Sequence, residues 1–167
     1  RQLADCFPGV DELRPFLPRI SALRSHGTTS VLCRIDPNGY SWIYMPSPDH
    51  RSHRIICTGN FSRNNNNGDI TTATIEFSEK MTEEEIRTQL KLIPFSPSYL
   101  AHHWEEYTYP VQDASSRALI RELKELLEPR GIYLLGRFAE WEYYNMDAAI
   151  GAAMDLDKRL DAEDAGI

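Results

Sequence analysis

The chain has 167 residues, enough for one domain with a substantial hydrophobic core. Its formal net charge of -7, from 25 acidic and 18 basic residues, argues against non-specific nucleic-acid binding, which needs a basic face. No apolar run reaches the ~18 residues of a membrane span, and no signal segment opens the sequence, so we expect a cytoplasmic protein. The sequence begins with Arg1 rather than Met, which leads us to expect a piece of a longer protein.

The first part of the sequence is predicted to form strands after a short helical lead-in. Apolar spacing within residues 2–25 indicates a short helix that Pro15 and Pro18 interrupt. The β-branched and aromatic stretches that follow predict four strands, at 29–35, 40–45, 53–59 and 70–77. Asp36-Pro37-Asn38-Gly39 is a strong turn sequence, so the first two strands are predicted to pair as a hairpin.

Helices are predicted mainly in the second part. Thr82 and Glu85 form a capping box ahead of a helix at 82–92. The elements predicted after it are a strand at 99–109, a helix at 113–127, a short buried strand at 132–135 and a last helix that Asn145 caps. Hairpin-like strands followed by helices predict an α+β fold, with an antiparallel sheet and flanking helices.

Metal binding is not predicted. Cys6, Cys33 and Cys57 are widely spaced and form no CxxC pair, so neither a zinc site nor a disulfide framework is indicated. His102 and His103 are adjacent on a predicted strand, where neighbouring side chains point to opposite faces and cannot share one ion. The sequence contains no GxSxG, HExxH or P-loop pattern either.

The segment from Gly136 to Asp147 is the strongest candidate for a ligand site. A predicted strand ends there, Arg137 follows directly, and a helix begins near Asn145. Ligands gather at strand ends, and the N–H groups of a helix start suit an anion. An ordinary loop leading into a capped helix is the simpler interpretation of the same residues.

This segment resembles a motif of a known enzyme family. Gly136-Arg137, followed by residues 143–147 (Tyr-Tyr-Asn-Met-Asp) and a helix of small residues, resembles the C-terminal flavin motif of the UDP-galactopyranose mutases. It is similar, more loosely, to related FAD-dependent amine-oxidase-like proteins. Asn145 stands where the family commonly has Asp. Three upstream stretches resemble further family motifs in the same order: His53-Arg54-Ile55, Ile75-Glu76-Phe77 and Tyr109-Pro110-Val111. The resemblance covers residues 20–160.

The resemblance implies roles for particular residues. Those expected to bind the diphosphate of a UDP-sugar are Arg54, Tyr109, Arg137 and Tyr143. Those expected to contact FAD are Gly136, Arg137, Asn145 and Met146. No catalytic residue is assigned with certainty, and Glu76 is the one candidate as a residue lining the site.

The resemblance also implies a missing partner. The family begins with a Rossmann unit bearing G-x-G-x-x-G, and the nine glycines of this sequence show no such spacing. We therefore expect FAD in the full-length protein but not in this chain alone. The implied segments are a helical lead-in at 1–28, a substrate-binding sheet with helices at 29–131, the last strand and helix of a Rossmann-type FAD domain at 132–160, and a tail at 161–167.

Three functions follow as alternatives. The first is the C-terminal part of a UDP-galactopyranose mutase-like isomerase that serves cell-surface polysaccharide or LPS biosynthesis, with this piece alone inactive. The second is an FAD-dependent oxidoreductase of the amine-oxidase type. The third is a non-catalytic sugar-nucleotide binding module. Expected partners are a UDP-sugar and the N-terminal Rossmann domain, with homo-oligomer formation left open and neither nucleic acid nor membrane involved.

Overall fold

The computed structural model of the protein describes residues 11–65 and 71–164. The chain forms two compact units: residues 26–108, called here the sheet unit, and residues 1–25 with 109–167, called the helical unit. The strands are β1 Ser25–Ile35, β2 Trp42–Tyr44, β3 Ser52–Ile56, β4 Thr71–Phe77 and β5 Ser98–Pro110. The α-helices are α1 Leu17–Ser21, α2 Glu83–Leu90, α3 Ala114–Leu127 and α4 Met146–Asp164.

The five strands form one sheet in the order β2-β3-β4-β1-β5. Antiparallel ladders join β1 to β4, β2 to β3 and β3 to β4. This architecture confirms the predicted α+β fold with an antiparallel sheet. Several predicted elements are confirmed closely as well, including the strand before Pro110 and the helices over 82–92 and 113–127.

The predicted hairpin between the first two strands is wrong. β1 pairs with β4, and β2 pairs with β3. β1 lies between β4 and β5, so both of its edges are occupied and β2 has no access to it. Asn38 shapes the connection locally, since its side-chain oxygen accepts the N–H of Tyr40 at 3.0 Å. The turn sequence therefore directs the chain away from β1 instead of back along it.

One row of side chains crosses the sheet and forms the centre of its core. Ile43 lies opposite Ile55, Ile55 opposite Ile75, and Ile75 opposite Val31. The last three are fully buried. Because strand side chains alternate between faces, the neighbouring row points the other way, and it contains Arg54.

Helix α2 covers the core face of the sheet unit. Ile86 and Leu90 of the helix are buried in the same hydrophobic cluster as the sheet residues. The helix begins with the predicted capping box, in which the Thr82 hydroxyl accepts the N–H of Glu85 and the Glu85 carboxylate accepts the N–H of Thr82.

Gly27, near the start of β1, lies very close to the middle of β5. A Cβ atom built on this glycine would lie 2.2 Å from Cη2 of Trp104 and 2.8 Å from the carbonyl oxygen of Glu105. Only glycine fits there without moving the indole ring, so the position fixes how closely the two strands pack.

The helical unit is organised around α3. Leu119, Leu123 and Leu127 of this helix are buried, with Leu13 packed in the same cluster. Asp113 caps the helix, accepting the N–H of Ser116 at 2.7 Å. Two 3₁₀ segments, Asp11–Phe16 and Glu128–Arg130, flank the helices of this unit.

Two predictions about this unit are corrected. The short helix predicted before Pro15 lies mostly outside the described residues. Pro18 does not lead into an irregular segment, because it lies in the first turn of α1, where the missing N–H costs nothing. Residues 132–135 do not form a strand. A strand needs a neighbour for its backbone groups, and here Ile132 and Leu134 pack against the α3 cluster instead.

Helix α4 exposes much of its apolar surface. Ile150 is 61% exposed. Met146 is 85% and Met154 55% exposed, so an apolar stripe at four-residue spacing faces outward. Over residues 11–65 and 71–164, no helix has both the length and the apolar character to cross a bilayer.

Candidate functional site

Arg137 lies against two tyrosine rings in the helical unit. Its guanidinium carbon is 5.1 Å from the ring centroid of Tyr109 and 5.4 Å from that of Tyr143. The two rings are nearly parallel, with an interplanar angle of 17° and centroids 5.3 Å apart. Three residues, each predicted to bind the diphosphate, therefore form one cluster of a cation and two phenols, in which Tyr109 is distant in sequence from the other two.

The backbone of Tyr144 anchors this arginine. Arg137 Nε donates to the carbonyl oxygen of Tyr144 at 3.0 Å, and Nη2 donates to the same oxygen. The side chain of Arg137 thus reaches the backbone seven residues further along the chain. Its planar group is fixed before any ligand arrives, which lowers the entropy lost on binding.

The loop of residues 136–144, called here the arginine loop, begins with a backbone turn that favours glycine. Gly136 has a φ of +98°, a conformation that other residues adopt only with strain. Its N–H donates to Glu140 Oε2 at 3.1 Å. The carbonyl oxygen of Gly136 in turn accepts the N–H of Glu140 at 2.9 Å, so the loop closes on itself.

Glu140 is the centre of the polar contacts inside the arginine loop. Its side chain is 10% exposed, and Oε1 accepts from Lys124 Nζ of α3 at 2.6 Å. Burial raises its pKa, but hydrogen bonds from Lys124 and Gly136 outweigh burial and hold the pKa of Glu140 below its ordinary value. Burial and a hydrogen bond to Glu140 raise the pKa of Tyr144.

Trp141 ties the arginine loop to the segment that follows Tyr109. Its indole Nε1 donates to the carbonyl oxygen of Val111 at 3.1 Å. Gln112 donates to the carbonyl oxygen of Trp141 at 3.2 Å and also to the carboxylate of Glu142. These bonds explain how Tyr109 and the loop stay in register, and Trp141 adopts a φ of 53° to make them.

Arg54 and Glu76 form a second predicted pair, in the sheet unit. They lie opposite each other on β3 and β4 and are joined by two contacts from the guanidinium to Glu76 Oε2. Both side chains are 11% exposed. His53 Nε2 lies 3.5 Å from the same carboxylate oxygen, and the Arg54 guanidinium lies 4.9 Å from the ring centroid of Trp42.

The carboxylate of Glu76 is ionised in this setting. Burial raises its pKa, while the hydrogen bond from His53 and the charge of Arg54 lower it, and the net pKa lies below the ordinary value. A carboxylate held in this state is a charge partner, and it does not serve as a proton donor near neutral pH.

The predicted flavin-contacting residues lie at the start of α4. Met146 is the first residue of the helix, and both it and Asn145 are exposed. The first turn of an α-helix presents N–H groups without intrahelical partners and a partial positive charge. This helix start could hold a polar, electron-rich edge of a cofactor.

Sequence patterns did not predict several of the contacts in the candidate site. Glu140 and Lys124 carry no sequence pattern of their own, because each contacts a partner distant in sequence. His53 lies in a stretch that resembles a family motif, but its contact with Glu76 was not predicted. His102 bonds only locally, with Nδ1 2.7 Å from the Tyr99 hydroxyl. Within the described ranges, no three His, Cys, Asp or Glu side chains are grouped to hold a metal ion.

No protein-family model and no curated protein sequence matches the chain. The fold is similar to a crystal structure of reduced UDP-galactopyranose mutase, with a TM-score of 0.64 and 20% identity, covering 82% of this chain and 32% of that one. It is also similar to a protein from Exiguobacterium sp. 255-15 named as a candidate protoporphyrinogen oxidase, with a TM-score of 0.62 and 14% identity, covering 97% of this chain and 39% of that one. The chain therefore spans well under half the length of either protein, and the likeness is one of fold.

Proposed function

We propose that this chain is the sugar-nucleotide-binding part of a flavoprotein similar to the UDP-galactopyranose mutases, whose complete form interconverts the ring sizes of a UDP-sugar. The observation that carries the proposal is the cluster of Arg137 with Tyr109 and Tyr143. These residues were selected from motif resemblance alone, and they meet in space around one fixed guanidinium.

The chemistry of this cluster suits a diphosphate. A guanidinium pairs with two phosphate oxygens at once, and phenol hydroxyls donate further hydrogen bonds while their rings exclude water. Tyr143 is 53% exposed, so its ring remains accessible to a ligand. The net charge of the chain does not oppose an anionic ligand, because one fixed arginine acts at short range where the overall charge is screened.

Arg54 has a smaller part in this proposal than Arg137. Glu76 already balances its charge, and both side chains are largely withdrawn from solvent. The role in sugar-nucleotide binding that the resemblance implies for Arg54 stays a proposal. Within the sheet unit, Arg54 and Glu76 form a neutral pair, and the guanidinium lies against the ring of Trp42.

The flavin is proposed to contact the start of α4. Gly136, Asn145 and Met146 fit this role, since the helix start is exposed and its N–H groups stabilise negative charge on the reduced ring. When bound, the reduced flavin would supply the nucleophile for the anomeric carbon of the sugar.

The sequence has no glycine-rich turn for the FAD pyrophosphate, so a Rossmann domain outside this sequence would hold that part. The exposed Met146, Ile150 and Met154 offer that domain an apolar contact face.

A second candidate is an FAD-dependent oxidoreductase of the amine-oxidase type. Its support is the likeness to the candidate protoporphyrinogen oxidase, which extends over 97% of this chain. A non-catalytic sugar-nucleotide module is the third. We favour the isomerase because the arginine–tyrosine cluster suits a diphosphate, whereas an amine-oxidase substrate requires none.

The test uses the complete protein that contains this sequence, loaded with reduced FAD and supplied with UDP-galactopyranose. We expect conversion to the furanose form with no net oxidation and no consumption of oxygen. Product formation that requires oxygen would favour the oxidoreductase instead. Binding of UDP without any turnover, with or without flavin, would favour the non-catalytic module. If isomerase activity is found, a role in cell-surface polysaccharide or LPS biosynthesis is the natural setting for it.

A further inference from the structure

Glu140 contacts both ends of the arginine loop and the adjacent helix. One carboxylate oxygen accepts the N–H of Gly136 at 3.1 Å, and the other accepts from Lys124 of α3 at 2.6 Å. Tyr144, at the far end of the loop, also interacts with this carboxylate, and burial and this interaction raise the pKa of Tyr144. A single side chain thus joins the first and last residues of the loop to a rigid helix.

Because the Glu140 carboxylate is buried, its ionised form depends on the hydrogen bonds and the opposite charge that surround it. The Glu140 side chain is 10% exposed, and a buried carboxylate is tolerated only when it is paired and hydrogen bonded. Lys124 supplies the opposite charge, and Gly136 supplies a backbone donor. Removing Lys124 would leave an uncompensated charge inside the loop, so the loop would have to open to hydrate it.

The contacts of Glu140 lead directly to Arg137. The guanidinium is anchored on the carbonyl oxygen of Tyr144, which also interacts with Glu140 through its side chain. Gly136, the other residue that Glu140 binds, immediately precedes Arg137. One carboxylate therefore interacts with both residues that fix the guanidinium: it holds the backbone of Gly136 directly and interacts with the side chain of Tyr144.

We propose that Glu140, held by Lys124, is the positioning residue that orients Arg137 for a ligand's diphosphate. Neither Glu140 nor Lys124 touches the ligand; they act through the backbone of Gly136 and through Tyr144. The inference rests on the proposed function in one respect only, the identity of the ligand that Arg137 binds. The control of the loop geometry by Glu140 does not depend on which ligand Arg137 binds.

The first experiment needs no ligand. Hydrogen exchange of the Gly136 amide is followed by mass spectrometry or NMR in the complete protein. We expect Glu140→Ala and Lys124→Met to accelerate this exchange and Glu140→Gln to accelerate it less, since the amide oxygen of Gln still accepts the N–H of Gly136. Glu125→Gln on the exposed side of α3 is the matched control and should change nothing. Unchanged exchange in both Glu140→Ala and Lys124→Met would overturn the proposal whatever the ligand.

The second experiment is a double-mutant cycle with UDP as the probe. We expect Glu140→Ala to weaken UDP binding by about tenfold when Arg137 is present, and to have little effect in an Arg137→Ala background. With UDP-galactopyranose, KM should rise while kcat changes little, because the lost interaction binds ground state and transition state alike. An equal loss in both backgrounds would mean a general structural role and would overturn positioning. If the wild-type protein does not bind UDP at all, the proposed function fails while the exchange experiment still decides the role of Glu140.

Discussion

Arg54 and Glu76 face each other across β3 and β4 as a pair of opposite charges, each with only 11% of its side chain exposed. Removing one partner of such a pair leaves the other charge in a poorly hydrated position. We expect Glu76→Ala to destabilise the protein by about 3 kcal/mol in urea unfolding. Replacing both residues together, as Arg54→Met with Glu76→Leu, should cost much less. A double variant as unstable as Glu76→Ala would show that the pair itself is not the cause.

The same pair predicts how stability depends on acid. The pKa of Glu76 in the folded protein lies below its ordinary value of 4.5. The carboxylate therefore stabilises the fold fully above about pH 4.5, and this contribution is lost as the pH falls through the lower folded pKa. Thermal unfolding measured from pH 6 downward should fall more steeply for the wild type than for Glu76→Gln. Parallel curves would contradict an ionised, stabilising Glu76.

Arg137 should matter far more for UDP binding than any histidine of the chain. In the complete protein, we expect Arg137→Ala to cost about 1.5–3 kcal/mol of binding free energy, a tenfold to hundredfold loss in affinity measured by calorimetry. Arg137→Lys should recover only part of it, because an ammonium cannot pair bidentately with phosphate or donate through Nε. His102→Ala, whose imidazole hydrogen bonds to Tyr99 in the sheet unit, is the control and should bind like wild type. Wild-type affinity in Arg137→Ala would remove Arg137 from the site.

Protonation of Asp113, the N-cap of α3, should lower the stability of the protein at acid pH. Hydrogen bonds from Ser115 and from the N–H of Ser116 lower the pKa of this cap from 3.8 to about 2. Its contribution to stability is present above pH 3.8 and is lost as the pH falls toward 2. Asp113→Asn retains the cap but not the charge, so its unfolding temperature should be less sensitive to pH in this range. Equal sensitivity in both proteins would mean that the cap does not titrate as described.

Two glycine substitutions should have opposite signs. Gly27→Ala places a methyl group 2.2 Å from the indole ring of Trp104, and the forced shift should destabilise the protein by about 1–3 kcal/mol. Gly151 lies in α4 with nothing within 4 Å of its added Cβ. Gly151→Ala should therefore stabilise the helix by about 0.5–1 kcal/mol, since alanine loses less backbone freedom on folding. Denaturant unfolding of both variants is the measurement, and a stable Gly27→Ala protein would contradict the close strand approach.

The 167-residue chain by itself should not retain FAD. The start of α4 is worth only about 0.3–1 kcal/mol toward a charged group when exposed, which is too little to fix a large flexible cofactor. A purified chain should be colourless and show no change in melting temperature when FAD is added. A yellow protein with one FAD per chain after gel filtration would contradict this prediction.

Local signals in the sequence predicted the local elements well. The Thr82–Glu85 capping box and the apolar face of α3 located their helices to within a residue or two, because both depend on neighbours along the chain. The hairpin over 29–45 failed for the opposite reason. Strand pairing is a long-range choice, and β4 competes successfully for the edge of β1 that a hairpin would have used.

Some residues of the candidate site could be predicted from the sequence and others could not. Arg137 and Tyr143 belong to a recognisable sequence motif, and the structure brings both against Tyr109. Glu140 was not foreseen, because an isolated acidic residue in a loop resembles a solvated surface charge. Only its burial and its distance to Lys124 reveal that it organises the loop.

The position of β1 between β4 and β5 also determines when the sheet can assemble. β1 is the first strand of this sheet in chain order, yet both of its neighbours come later, and the second ends only at Pro110. Until residues 71–77 have left the ribosome, the backbone donors and acceptors of β1 have no partner strand within the sheet. The short ladder between β2 and β3 can form first, but it buries little by itself. The nascent sheet therefore exposes an apolar strand through most of its synthesis, which makes this stage the one most open to aggregation.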